Sequence, residues 1–234
     1  LNTRVREAVS VGAKKVILRN VYGQRYIGTR LCLQEPVEIE VYGTPGNDLG
    51  AFINGHRVTV HGNVQDGVDN TMNSGEIVVH GRAGDILGMS MRGGEIYIRD
   101  SIGYRGGLHM KEYGEKRPVI IIGETAQDFF GEYMAGGIVI LLGLNLGRYG
   151  LHKMNFIGMG MHGGALYIRG EVNNGQLSEH VGVEPLDDRD YDLLDKYIGR
   201  YAHLFNVSKA EIVAMHFKKL RPVSKRPYGN LYKH

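Results

Sequence analysis

The sequence holds one cysteine, no tryptophan and only six prolines in 234 residues. The lone Cys32 cannot close an intrachain disulfide and cannot by itself hold zinc or an iron–sulfur cluster, so it reads as a small buried hydrophobe. Charge of one sign is also missing. The 28 Lys and Arg against 25 Asp and Glu leave a net +3, too small and too scattered to indicate nucleic acid or an anionic membrane, although the last fifteen residues carry a modest basic excess. No run of about 18 apolar residues exists, and the segment LNTRVREAVS lacks the basic-then-apolar pattern of an export signal. Neither membrane insertion nor export is indicated, and the expected compartment is the cytoplasm. With 42% hydrophobic and 23% charged residues, a predominantly disordered chain is excluded.

What the sequence has in excess is glycine: 35 residues, about twice the ~7% norm, with no Gly-X-Y triplet to suggest collagen. The excess belongs to a repeat. The pentapeptides Arg57–His61, Glu76–His80 and Glu95–Arg99 start 19 residues apart, and Glu38–Val41 lies one step earlier. Val119–Gly123 follows after 24 residues, Ile138–Leu142 after 19 and Ala165–Arg169 after 27, so the longer steps carry insertions of five and eight. A fixed period near 20 residues is the mark of a solenoid.

Within each block the residues alternate with the strand period of two, which puts Val58/Val60, Ile77/Val79, Ile96/Ile98, Ile120/Ile122, Val139/Leu141 and Leu166/Ile168 on one face. Between strands, three further columns recur: Ile53, Met72, Met91, Met110, Met134, Met161; then Gly50, Asp69, Gly88, Gly107, Gly131, Gly158; then Asn47, Asp66, Asp85, Tyr104, Asp128, Asn155. These predict an all-β fold, a right-handed single-stranded parallel β-helix of about seven coils over residues 15–175, after a lead-in of 1–14. Glycine, Asn and Asp then serve tight corners with positive φ, and the methionines fill the core behind them. The six-residue subperiod of a left-handed β-helix is absent.

After Gly170 the pattern changes. Asp187–Asp190 precedes Leu193, Leu194, Tyr197, Ile198, Tyr201, Ala202, Leu204 and Phe205 at helical spacing, which predicts a helix over 189–205. Ser208-Lys-Ala-Glu211 is a capping box, and a second helix is expected over 209–219, closed by Pro222. The domain from 186 to 234 is therefore read as a helical pair with an extended tail from Arg221. The outward strand positions Thr59, Val78, Tyr97, Ile121, Ile140 and Tyr167 become apolar from the second of these onward, so something must cover them. The helix stripe with Leu194, Ile198, Tyr201 and Phe205 is one cover, and a partner polypeptide is the other.

The chemistry-bearing patterns reduce to structural ones. Gly158-Met-Gly160-Met-His-Gly163 satisfies the literal dinucleotide pattern, but it precedes a strand rather than opening a helix. His61 and His80 share a column with Arg99 and Leu142, and with no third ligand they read as solvated strand ends rather than zinc ligands. Asp66 and Asp85 are close enough in the repeat for the acid and base work of a polysaccharide-cleaving β-helix. Corner Asx side chains, however, are expected to cap their own backbone, and Asn and Tyr fill the same column. No Gly-x-Ser-x-Gly elbow exists. No catalytic, cofactor or metal residue is assigned.

Laid out in coils, the sequence resembles the glycine-repeat (G-x-x-G-x-x-x-G) domain that closes the large subunit of glutamate synthase. The resemblance is carried by Gly81-Arg-Ala-Gly84-Asp85-Ile-Leu-Gly88-Met-Ser-Met91-Arg-Gly93-Gly94, by Asp128-Phe-Phe-Gly131-Glu-Tyr-Met134-Ala-Gly136-Gly137, and by the terminal stretch Tyr197–His234 with Phe217-Lys-Lys-Leu-Arg-Pro222. A related β-helix forms one of the subunits of formylmethanofuran dehydrogenase, and the helical tail favours glutamate synthase. The resemblance implies a separate, non-catalytic polypeptide equivalent to that domain, scaffolding an amidotransferase polypeptide and a synthase polypeptide that carries FMN and an iron–sulfur cluster. No cofactor is expected on this chain, self-association stays open, and the alternative readings are the formylmethanofuran dehydrogenase role and a free-standing polysaccharide-acting β-helix.

Overall fold

In the computed structural model, which describes residues 1–31, 35–147 and 150–225, each 19-residue step becomes one coil of a parallel β-solenoid of about seven turns. The strands are β1 (Lys15–Tyr22), β2 (Glu38–Thr44), β3 (Asn54–His61), β4 (Ser74–Val79), β5 (Glu95–Ile98), β6 (Val119–Ile122), β7 (Ala135–Leu141) and β8 (Gly163–Arg169), each paired in parallel with the next. The register is the one the repeat dictates: Val58 lies beside Ile77, Ile77 beside Ile96, Ile96 beside Ile120, Ile120 beside Val139 and Val139 beside Leu166. β1 escapes the 19-residue spacing because Lys15 pairs with Glu38, a step of 23.

The inward row is fully buried and continuous with a helix, α1 (Asn2–Ser10), whose Val5 and Val9 join Leu18 and Val21 in the same apolar core. The lead-in is thus a helix that closes one end of the solenoid, where an open end would leave core side chains wet. Opposite the strands the coil turns through glycine. Gly50 has φ +72, and a Cβ there would meet Ile77 Cδ1 at 2.6 Å; at Gly131, φ +73, it would meet Leu166 Cδ1 at 2.9 Å. The corner therefore excludes a side chain twice over, by its left-handed backbone and by the inward strand residue that fills the space.

The other end closes differently from the expected second helix. β9 (Val181–Glu184) is followed by α2 (Asp188–Phe205), the short α3 (Lys209–Val213) and β10 (Phe217–Pro222). Ser208 caps α3 as expected, its Oγ accepting from Glu211 N at 3.3 Å, but the helix ends at Val213 rather than 219. Residues Phe217–Pro222 form a strand inserted antiparallel between β8 and β9. Without it the last coil would leave a row of backbone donors and acceptors without partners, and that demand overrides the local helical pattern. The remainder of the expected tail, residues 226–234, lies outside the described residues, as does Cys32.

The outward row has its cover. α2 seats Leu194, Tyr197, Ile198 and Tyr201 on Val78, Tyr97, Ile121, Ile140 and Tyr167, forming a second apolar cluster outside the solenoid. The charged outward positions of the first strands, such as Glu40 beside Lys15, lie beyond it and form ion pairs in the open. Arg200 ties α2 to the sheet through Glu76, Nη2 to Oε2 at 3.0 Å, and Arg57 reaches the same carboxylate at 2.9 Å.

Candidate functional site

The repeat columns singled out in the sequence all lie on the coil corners or in the core. Met72, Met91, Met110, Met134 and Met161 are buried inside the solenoid with Ile53. Gly50, Gly88, Gly107, Gly131 and Gly158 all have positive φ and face inward strand side chains. The Asx column departs from the expectation that each side chain caps its own corner. Asp66 Oδ1 accepts from Asp85 N at 2.8 Å, Asp85 Oδ1 from Tyr104 N at 2.9 Å and Asp128 Oδ1 from Asn155 N at 2.7 Å. Each carboxylate is spent on the backbone of the next coil, because the equivalent residue sits directly above it in a solenoid. The glycines of 158–163 run into β8, with no helix N-terminus to receive a pyrophosphate.

The histidine column forms a stack, with His61 exposed at the end of β3 as expected and His80 half-buried. Tyr42 and His61 stack at 4.3 Å, His61 and His80 at 5.2 Å, and His80 meets Phe205 of α2 edge-on at 5.2 Å, while Arg19 lies 4.6 Å over Tyr42. This cation–ring stack runs from the open sheet edge to the covering helix. Burial, with the charges of His61 and Arg99, holds the His80 imidazole below its ordinary pKa.

Three polar groups buried in the fold escape the sequence reading. Asp190 accepts from Lys219 Nζ at 2.7 Å and from Tyr167 Oη at 2.6 Å, and it shares a reciprocal cap with Asp187 at the start of α2. Burial pushes the Asp190 carboxyl up, but the hydrogen bonds from Lys219, Tyr167 and the backbone outweigh it and leave it below the usual range. The same burial raises the Tyr167 phenol. The cluster staples α2 and β10 to β8. Arg169 is the second such group, its guanidinium donating to the carbonyls of Leu142 (2.9 Å), Ile212 (2.9 Å) and Glu211 (3.4 Å), so it fixes the carbonyl end of α3. The Asp187-x-x-Asp190 spacing is the one available signal; the partners Lys219 and Arg169 become visible only once β10 lies beside β8.

The third group is Asp69, which replaces glycine in the corner column. It is fully buried with φ +62, and neither carboxyl oxygen has a hydrogen-bond partner among the described residues. Burial alone raises its pKa well above the ordinary carboxylate value. Among the described residues no group of three or more His, Cys, Asp or Glu could hold a metal ion. No helix there is long and apolar enough to cross a membrane.

Comparison with known proteins gives the same pattern a family. The profile described as "GXGXG motif" matches residues 7–225. That motif is found in the C-terminal domain of the glutamate synthase large subunit. An uncharacterized protein of Methanocaldococcus jannaschii is 46% identical over 239 residues, covering 99% of this chain and 91% of its own length.

Proposed function

The chain belongs to the GXGXG motif family, and from that membership we propose that it is a non-catalytic structural component of a glutamate synthase, which makes glutamate from glutamine and 2-oxoglutarate. The observation that carries this reading is the family match across nearly the whole chain, from the end of α1 to past β10. In the proposal, the amidotransferase part and the FMN and iron–sulfur synthase part are supplied by partner polypeptides in the cytoplasm, and this chain holds them in register without a cofactor of its own. The fold suits such work. A solenoid whose coils are hydrogen-bonded along its whole length, with a helix clamped on its outer sheet, is a rigid spacer that offers partners a long side face.

The reading is tested by affinity purification of the tagged chain from its own cells. Recovery of glutamate synthase amidotransferase and FMN-domain polypeptides is the expected result. Recovery of formylmethanofuran dehydrogenase polypeptides instead, or a flavin spectrum in the chain after its partners are stripped away, would overturn it.

A further inference from the structure

The sheet has two edges, and they are finished differently. Beyond β8 the edge is sealed by β10 and β9, and β9 is only four residues long and is stopped by Pro185. At the other edge β1 runs for eight residues with nothing paired on its outer side among the described residues. The Lys14 carbonyl accepts from Glu38 N at 2.9 Å, which sets the alternation along the strand. Val16 and Leu18 therefore turn their backbone groups to β2, while the N–H groups of Lys15, Ile17 and Arg19 and the carbonyls of Lys15 and Ile17 face outward. α1 does not take them up. It stands across a groove of about 300 Å³, with Arg4 and Val5 on its side and Val16, Ile17, Leu18 and Arg19 on the side of β1.

Charge says what belongs on this edge. Residues 1–31 hold seven Lys and Arg against one acid, Glu7, while the rest of the chain holds 21 against 24. Lys14 and Lys15 pair with Glu35, Glu38 and Glu40. Arg4, Arg6, Arg19, Arg25 and Arg30 have no carboxylate partner among the described residues, and Arg4 and Arg19 line the groove itself. Ile17, 48% exposed, lies between Lys15 and Arg19 on the outer face. A second copy of β1 would set these cations against their equals, and a second copy's β9 spans half of the strand at most. Residues 226–234 hold Arg226 and Lys233 with no acid, so their charge has the wrong sign as well.

We propose that the free edge of β1 is a docking site for an acidic, extended segment of another polypeptide, which adds to the sheet as one more strand. Its backbone pairs with the outward groups of Lys15, Ile17 and Arg19, and its carboxylates meet Arg4 and Arg19 in charge-assisted hydrogen bonds. Apolar residues between those carboxylates pack on Ile17 and over Val5 and Val16 in the groove. The proposal goes beyond the glutamate synthase reading and does not depend on it, since the edge asks only for this pattern of charge and strand.

The test is titration of the full chain with the peptide acetyl-Asp-Glu-Val-Ile-Val-Glu-Asp-amide, whose pattern reads alike in either strand direction, followed by calorimetry and amide hydrogen exchange. Saturable binding is expected, weaker as salt rises, with exchange of the Lys15, Ile17 and Arg19 amides slowed about tenfold or more in the complex. A peptide with three prolines in place of Val-Ile-Val keeps the charge but lacks the donors, and one with Lys at every acidic position keeps the donors but inverts the charge. Neither should bind. Arg19→Glu should weaken binding of the acidic peptide about tenfold, the worth of one charged hydrogen bond. Ile17→Pro deletes an outward N–H and leaves the pairing with β2, so it should abolish binding with the melting temperature little changed. No saturable binding of the acidic peptide, protection that falls away from β1, equal binding of the proline peptide, or undiminished binding by Arg19→Glu would each overturn the proposal.

Discussion

At the scale of single residues, the glycine column and its one exception are the most informative positions. Gly50 and Gly131 sit where the left-handed corner meets an inward aliphatic side chain, and Asp69 stands in the same column with a buried carboxyl that has no partner among the described residues. Replacing it restores the repeat. Asp69→Gly removes an unsatisfied buried polar group worth about 1–3 kcal/mol and relieves a φ of +62, so it should stabilise the protein. The gain should depend on pH. The folded pKa is raised well above 3.8, so the group's contribution is most favourable below pH 3.8 and is lost as pH rises from there towards the folded value. The advantage of Asp69→Gly should therefore grow as pH rises above the unfolded carboxyl's pKa towards the raised folded one. Urea unfolding of both proteins at pH 5 and pH 7 checks this; an Asp69→Gly protein that is less stable at pH 7 contradicts the account of the column. The repeat makes the column itself legible, but Asp69 reads as one more turn-forming Asx. Its burial follows from the corner pointing inward, which residue type alone does not reveal.

Strands and helices sort by which face they bury. Ile98 on β5 is fully buried in the solenoid, while Thr59 on β3 sits in the outward row before α2 begins to cover it. Ile98→Asp places an unpaired charge in the core, a penalty of several kcal/mol against a total stability of ~5–15 kcal/mol, whereas Thr59→Asp should change little. Melting curves of the two variants are the check, and equal melts contradict the register. These strands are readable because alternation and a 19-residue period reinforce each other. The helix stripe Leu194, Ile198 and Tyr201 is readable as the cover because the outward row it meets turns apolar over the matching coils. Two elements are not. β1 is offset by a 23-residue step, and Phe217–Pro222 follows a genuine helix cap so closely that its local sequence reads as a continuation. Its strand state is imposed by the open edge of β8, a tertiary demand without a local signal. The ring stack from Arg19 through His61 and His80 to Phe205 is hidden for the same reason, since Phe205 arrives from more than 120 residues away.

For the whole molecule, the fold is a rod closed at both ends: α1 plugs the core beside β1, and β10 and β9 complete the sheet beyond β8. The corner carboxylates of Asp66, Asp85 and Asp128 are committed to the backbone of neighbouring coils, and Asp190 is committed to a staple with Lys219. The most direct measurement is glutamate formation from glutamine and 2-oxoglutarate by the partner amidotransferase and FMN polypeptides, assayed with and without this chain. The account expects the chain alone to be inactive and the partners to need it for coupled synthesis; an undiminished rate in its absence, or glutamine hydrolysis by the chain alone, would contradict it.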